Sequence, residues 1–510
     1  MPNTPPLILD AGSLTISDVI QVARAARVVQ LGDAARARIQ ASRLVIEEAT
    51  RDGLAHYGIN TGFGSLSRQR VDTADLRALQ HNLVRSHSAG VGDPLPVDVV
   101  RSMMLLLAAS LSRGLSGVRP ALVEQIIGML NAGVTPVVPS IGSVGASGDL
   151  APLAHVASVI IGEGQATLRD STSSISGGEA LTRANLKPIG LEAKEGLALI
   201  NGTHLMAAQA ALLCADTERL FNAALIGTAM SMDGCRATDA FLDERVYDAR
   251  KHPGPALAAA SLRRLLKGSQ IIPAHRENDP RVQDPYSLRC APTVLGAAWD
   301  AFGYVKQATE RELGAVTDNP LVFASGDPHS SVVSAGNFHG MPIAIPLDLL
   351  AIPISHIAGI SERRTYLILS ATDKENPTRP YLSPKPGLHS GLMIAQYTAA
   401  ACCNEIAGLC MPASVMNIPT SAGVEDYNSF GPRSAAKARR ALDLACDVVA
   451  IELLCAAEAI EFQRPLRSGD GVEVSHSRIR AVVPRLTADR SPTPDIHAIS
   501  TMIKSGTISG

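Results

Sequence analysis

Gly142-Ser143-Val144-Gly145-Ala146-Ser147-Gly148-Asp149-Leu150-Ala151-Pro152-Leu153 is the most informative stretch of this 510-residue chain, and three chemistries compete for it. A phosphate-binding loop needs G-x-x-x-x-G-K-[ST], and no Lys is present here. A nucleophile elbow needs G-x-S-x-G, but Gly145-Ala146-Ser147-Gly148-Asp149 puts Asp in place of the second Gly. The third chemistry is backbone cyclisation, in which the amide nitrogen of Gly148 attacks the carbonyl of Ala146. It demands a tight bend and little side-chain bulk on either side of Ser147, and Ala-Ser-Gly meets that demand. Loss of water, including the Ser147 hydroxyl, then leaves a conjugated methylidene-imidazolone (MIO), an electrophile that no unmodified side chain supplies. On its own, Ala-Ser-Gly is more often a glycine turn before a helix.

The context changes that balance. Ala146-Ser147-Gly148-Asp149-Leu150-Ala151-Pro152-Leu153-Ala154-His155 resembles the MIO loop of the aromatic amino acid ammonia-lyase family, whose histidine-specific members it matches best. Six other segments match the family in order: Tyr57 to Gly64, Gln80 to Gly92, Lys194 to Thr203, Gln283 to Cys290, Asp318 to Phe323 and Gly336 to Gly340. The resemblance implies a mainly α fold with a long central helical bundle of the fumarase/aspartase-like superfamily. A mixed N-terminal domain, expected over residues 1–200, would bear the tyrosine and MIO loops, with the long-helix domain over 201–510. It also implies a homotetramer whose active sites draw loops from several subunits, and no dissociable cofactor beyond the MIO group of Ala146, Ser147 and Gly148.

Ammonia elimination removes a weakly acidic β-proton and expels a poor leaving group, so both an electrophile and a base are required. By resemblance, Ser147 is the source of the electrophile and Tyr57 the base. A phenol working as a base near neutrality needs its anion favoured by about 4 kcal/mol over its usual state. Arg289 resembles the carboxylate anchor, since a guanidinium fork grips a carboxylate through two charge-assisted hydrogen bonds. Asn201 and Tyr286 resemble the residues that hold the prosthetic group and the substrate amine, Gln283 a polar neighbour, and Phe338 the aromatic wall. Asp149 admits two readings, assistance to ring closure or an N-cap of the helix that follows.

The choice of amino acid rests on fewer residues. Ser86-His87 is similar to the pair in histidine ammonia-lyases, where phenylalanine and tyrosine enzymes more often carry Phe-Leu or His-Leu. His87 and Glu425 supply polar partners for an imidazole, and Met393 matches a pocket residue of the histidine enzymes. A pocket built for ring nitrogens rejects apolar rings, because its own buried groups would be left unpaired. The expected reaction is elimination of ammonia from L-histidine to urocanate. Tyrosine or phenylalanine ammonia-lyase or 2,3-aminomutase chemistry with the same prosthetic group stays open, because some tyrosine aminomutases share the Ser-His-Ser-Ala-Gly-Val-Gly segment. Val424, Tyr427, His204, Ala291 and Thr293 depart from the usual wording of the histidine enzymes.

Composition narrows the classes further. Forty-six Lys plus Arg against 48 Asp plus Glu leave a net charge of -2, which offers no basic field for nucleic acid. The start lacks the basic flank and apolar run of a secretory signal, and the apolar stretch from Met103 to Leu111 is about half the roughly 20 residues that span a bilayer. A cytoplasmic protein with no membrane partner is expected. The eight cysteines lack C-x-x-C pairs and read as reduced. The 13 His offer no H-E-x-x-H spacing, so no metal is expected.

From about residue 200 onward, apolar residues recur at helical spacing over Met206 to Met232, Pro292 to Ala315, Ile343 to Leu369, Leu388 to Cys410 and Arg433 to Phe462. Ser390 to Cys410 carries only Glu405 as a charge, so that helix is expected to be covered on nearly all sides. Asp170 to Gly178 and the proline-containing segment Asp373 to Pro386 read as loops.

Overall fold

The fold is that of a computed structural model, which describes residues 4–508 apart from 11, 53, 63, 170, 172, 278, 280, 325–330 and 373–375. Phe63 of the tyrosine loop and parts of both expected loops, including Asp170 and Asp373, lie outside the described residues.

The chain is mainly α, and each long periodic stretch is a helix. They are His204–Gly234 (31 residues), Ala291–Glu312 (22), Met341–Ser370 (30), Met393–Leu409 (17) and Gly431–Glu461 (31). By its contacts the chain divides into two units, neither of which is continuous. The first comprises Met1–Ala215, Lys306–Leu347 and Pro412–Ala436; the second Asp216–Val305, Asp348–Met411 and Lys437–Gly510. A single cut near residue 200 does not describe this division, because the helices other than Met393–Leu409 in that group each contribute residues to both units.

The first unit is the mixed one. Its strands are short: Leu7–Leu9 pairs in parallel with Val29–Leu31, and Thr135–Pro136, Gln165–Thr167 and Ile175–Ser176 form an antiparallel three-stranded sheet. The helix Val97–Ser112 is buried from Val99 to Ser112, which explains the apolar run inside it. Its Arg101 is buried too, and donates to the carbonyls of Val22 (2.8 Å), Ala23 (3.2 Å) and Leu130 (3.0 Å). A cation is thus set against carbonyls in the last turns of the helices Ile16–Ala25 and Pro120–Ala132, where the helix dipoles favour it.

The second unit buries the stretch Val448 to Ile460 almost completely and stacks Phe221 on Trp299 at 4.4 Å. The helix Met393–Leu409 is not covered as expected. Only Ala395, Ala399 and Ile406 are buried, while Ile394 is 58% and Tyr397 60% exposed. Its low charge is therefore not explained by packing within the chain.

Among the described residues, one helix, Met341–Ser370, is long and apolar enough by length and composition to cross a membrane, and 61% of its most apolar window is buried within the protein. All eight cysteines are free thiols, four of them buried.

Candidate active site

Three glycines allow the Ala146-Ser147-Gly148 bend. Gly148 has φ +74°, and a Cβ there would fall 2.1 Å from the carbonyl oxygen of Gly202, so no larger residue fits. Gly145 has φ +66°, and a Cβ would meet the Ser429 hydroxyl at 2.1 Å. Gly202 closes the other side: Asp149 donates its amide to the Gly202 carbonyl at 2.7 Å. The bend is pinned further by Ser429 Oγ donating to the Gly145 carbonyl (2.9 Å), by Gly340 N to the same oxygen (3.2 Å) and by Phe430 N to Val144 O (2.9 Å). Ala146 is buried, and Ser147 faces a cavity. Tight bend, small flanks and a hydroxyl at an open face are what cyclisation and dehydration require, so the residues present fit an MIO group.

Asp149 does not cap its own helix, Leu150–Ile160. Its fully buried carboxylate instead accepts from the amides of Leu205 (2.9 Å) and Met206 (3.1 Å), at the start of the His204–Gly234 helix, and from Ser143 Oγ (3.1 Å). Burial pushes its pKa up to about 7 against the pull of these donors, with Glu312 adding to the rise. The sequence signal for an N-cap was real, but it belongs to a helix 55 residues further along.

The cavity measures about 350 Å³, and its lining comes wholly from the first unit. Tyr57, Ser86, His87, Ser147, Asn201 and Glu425 are its main polar groups, set among Leu66, Leu79, Leu83, Leu150, Leu197 and Ile200. Five of the expected site residues thus meet in one place. Tyr57 is half-buried, and its hydroxyl oxygen lies 3.5 Å from the amide of Gly64. Gly58 beside it has φ +74°, and a Cβ there would collide with Leu197 Cδ2 at 2.4 Å, so the tyrosine loop lies directly on the Glu195–Ile200 helix.

His87 ends the helix Leu76–His87, and its ring Nδ1 lies 2.9 Å from the Leu83 carbonyl one turn back. A carbonyl only accepts, so Nδ1 carries the hydrogen and Nε2 is left as an acceptor. Burial lowers the His87 pKa, partly offset by the Leu83 carbonyl and the Glu425 charge, which favours this neutral tautomer. Glu425 is held by Thr420: its carboxylate accepts from Thr420 Oγ1 (2.7 Å) and from Ser147 Oγ (3.2 Å). Thr420 and Ser429 are positioning groups: Thr420 acts locally on Glu425, five residues on, whereas Ser429 acts on Gly145, 284 residues away, through a contact made only by the fold.

The remaining expected residues lie elsewhere. Phe338 is half-buried two residues before Gly340, whose amide holds Gly145. Gln283, Tyr286, Arg289 and Met393 belong to the second unit and are absent from the cavity lining. Tyr286 is 71% exposed, with the Arg289 guanidinium 4.6 Å above its ring; Arg289 Nε donates to Asp284 O at 3.0 Å, and Gln283 is exposed. Met393 is half-buried at the start of its helix.

His204, one of the departures from family wording, is 5% exposed with neither ring nitrogen hydrogen-bonded. Burial, then the Arg113 charge, push its pKa down to about 3 from an ordinary 6.5. The unfolded chain therefore binds a proton the folded one refuses: this contribution to stability is complete above about pH 6.5 and is lost as pH falls toward 3. Between pH 7.5 and 5 the wild type should lose about 2 kcal/mol more than a His204→Gln variant, measured by urea unfolding at both pH values. Equal losses would mean that the ring is hydrated or paired.

The aromatic amino acid lyase family model matches residues 14–481. A histidine ammonia-lyase from Anaeromyxobacter sp. (strain K) is 47% identical over 506 residues, covering 98% of this chain and 99% of the relative. Among solved structures, histidine ammonia-lyase from Trypanosoma cruzi is 38% identical with a TM-score of 0.91, covering 99% of this chain and 94% of that one. Tyrosine aminomutase from Streptomyces globisporus is 33% identical with a TM-score of 0.92, covering 99% and 98%. With the bend, the cavity and near-complete coverage in agreement, the chain belongs to the aromatic amino acid lyase family, and it is a carbon–nitrogen lyase.

Proposed function

We propose that this enzyme eliminates ammonia from L-histidine to give trans-urocanate. The observation that carries the reading is the neutral His87 ring and the Glu425 carboxylate at one cavity with Ser147 and Tyr57. Substrate ring N–H donates to His87 Nε2 or to Glu425, so the pocket satisfies an imidazole and leaves its own groups unpaired beside an apolar ring. The histidine ammonia-lyases among the relatives support the same substrate.

Closed into an MIO ring, Ala146-Ser147-Gly148 supplies the electrophile that the elimination needs. Every other part falls to ordinary side chains. Tyr57 takes the β-proton on its phenolate oxygen, Asn201 accepts from the amine, and the apolar lining keeps water from the reacting carbon. In a homotetramer whose sites draw loops from several subunits, Arg289, with Tyr286 and Gln283, anchors the substrate carboxylate from a neighbouring copy of the chain, and Phe338 and Met393 wall the site.

A homotetramer completes the arrangement. Tyr286 and the flanks of the Met393–Leu409 helix are exposed apolar surface in the single chain, as are Met411, Val415, Met416 and Ile418. Exposed apolar side chains in this number, most of them within residues 394–418, are what a second copy would cover. A cytoplasmic location suits the eight free thiols.

Incubation with L-histidine should yield urocanate and ammonia in equal amounts, followed by urocanate absorbance and an ammonia assay. A β-amino acid as the product would replace the lyase reading with an aminomutase. Absence of any product from L-histidine would reject it.

A further inference from the structure

We propose that the buried Lys194–Asp318 ion pair is a positioning element that holds Asn201 in its reacting orientation. The inference rests on the ammonia-lyase reading of the site and assigns work to two segments, around Lys194 and around Asp318, that this reading leaves without any.

Lys194 is fully buried, has φ +74°, and immediately precedes the six-residue helix Glu195–Ile200. Asn201 immediately follows that helix. Lys194 Nζ lies 2.7 Å from Asp318 Oδ2, and the other carboxylate oxygen of Asp318 accepts from the amide of Asn319 at 2.6 Å. Asn319 in turn offers its carbonyl to Asn201 Nδ2 at 3.4 Å, and Thr317 Oγ1 accepts from the amide of Thr203 at 3.1 Å. The segment 317–319 therefore grips 201–203 on one side of the backbone, while Asp318 between them reaches back to the far end of the helix. Lys194, the helix, Asn201, Asn319 and Asp318 form a closed brace.

The brace fixes which way the Asn201 amide faces. A main-chain carbonyl only accepts, so the Asn201 NH2 must point to Asn319 and Oδ1 must point away. That Oδ1 is buried and makes no hydrogen bond, on a residue that lines the cavity. It is an acceptor held for the amine of the substrate. The same brace underlies the tyrosine loop, since a Cβ on Gly58 would meet both Leu197 Cδ2 (2.4 Å) and Pro320 Cδ (3.3 Å).

Stability alone does not account for the pair, because a buried ion pair is often replaced by apolar residues of like volume at little cost. What an apolar pair lacks is the acceptor that sets the Asn319 peptide. The discriminating variants are Lys194→Met/Asp318→Leu, which fills the volume without that acceptor, and Asp318→Asn, which keeps one acceptor oxygen for the Asn319 amide but turns an NH2 toward Lys194 Nζ. The full-length enzyme is measured by thermal midpoint, intact mass and kcat on L-histidine.

The double variant should melt like the wild type, retain the mass deficit of about 36 Da of a mature MIO group, and lose about 100-fold in kcat. Asp318→Asn, which loses the ion pair but keeps the Asn319 acceptor, should fall between the two, about 10-fold below wild type. If the double variant does not fold, Asp318→Ala takes its place and should be at least about 10-fold slower than Asp318→Asn. Wild-type kcat in the folded acceptor-free variant, equal kcat in the acceptor-free and acceptor-keeping variants, or a full sequence mass in the slow variant would each overturn the proposal. A wild type inactive on L-histidine would instead count against the lyase reading.

Discussion

Ser147→Ala should lower turnover of L-histidine by about 10³-fold or more while leaving the fold intact. Alanine has no hydroxyl to lose, so ring closure at this position cannot produce the exocyclic methylidene. The wild type should weigh about 36 Da less than its sequence mass, the equivalent of two waters, and the variant no more than about 18 Da less. The structural cost is small: in the uncyclised chain the Ser147 hydroxyl makes a single described hydrogen bond, to Glu425 at 3.2 Å, worth about 1 kcal/mol, and the mature group has itself given up that hydroxyl. Circular dichroism and the thermal midpoint should match the wild type. A variant with the full 36 Da deficit, or with near-normal activity, would mean that the electrophile is formed elsewhere.

Arg364→Met should destabilise the enzyme by about 3–5 kcal/mol, the largest effect expected from any single change outside the site. Arg364 and Glu452 are both fully buried in the second unit, joined at 2.5 and 2.8 Å through two nitrogens and two oxygens. Ser231 Oγ donates to Glu452 at 2.8 Å, and Arg364 also reaches Ser361 Oγ at 3.1 Å and the Ser287 carbonyl at 3.3 Å. Truncation leaves a buried carboxylate with one hydroxyl for company, whereas Arg364→Met/Glu452→Leu removes both charges and should recover most of the loss. Ser287 sits between Tyr286 and Arg289, so the single variant should also loosen the proposed carboxylate anchor and raise KM. Urea midpoints for the wild type, single and double variants test the energetic part; a single variant as stable as the wild type would contradict it.

Much of the fold was legible because long helices advertise themselves. Met206 to Met232 and Arg433 to Phe462 announce His204–Gly234 and Gly431–Glu461 to within about two residues, the scatter expected at helix ends. At the N-terminus the Thr15 side chain and Asp18 form a capping box, which starts the first helix at Ile16. The Met393–Leu409 helix shows where composition misleads. Low charge signals burial, but it does not say whether the cover comes from the same chain.

The site divides along a similar line. Tyr57, His87, Ser147, Asn201 and Glu425 come from widely separated segments, yet each stands in a motif short enough to recognise and meets the others at one cavity. Ser429 and the Lys194–Asp318 brace were not legible, because their roles exist only as contacts between segments that the sequence keeps 284 and 124 residues apart. Asp149 falls between: its type and its place before a helix suggest a cap, but only the fold shows which helix it caps.

The most direct single measurement is the ratio of kcat/KM for L-histidine to that for L-tyrosine and L-phenylalanine, taken on the same purified enzyme. A pocket built from His87 and Glu425 should favour L-histidine by at least about 10³-fold, with urocanate as the product. A ratio near one, or a preference for L-tyrosine or L-phenylalanine, would contradict the assignment of this cavity to an imidazole.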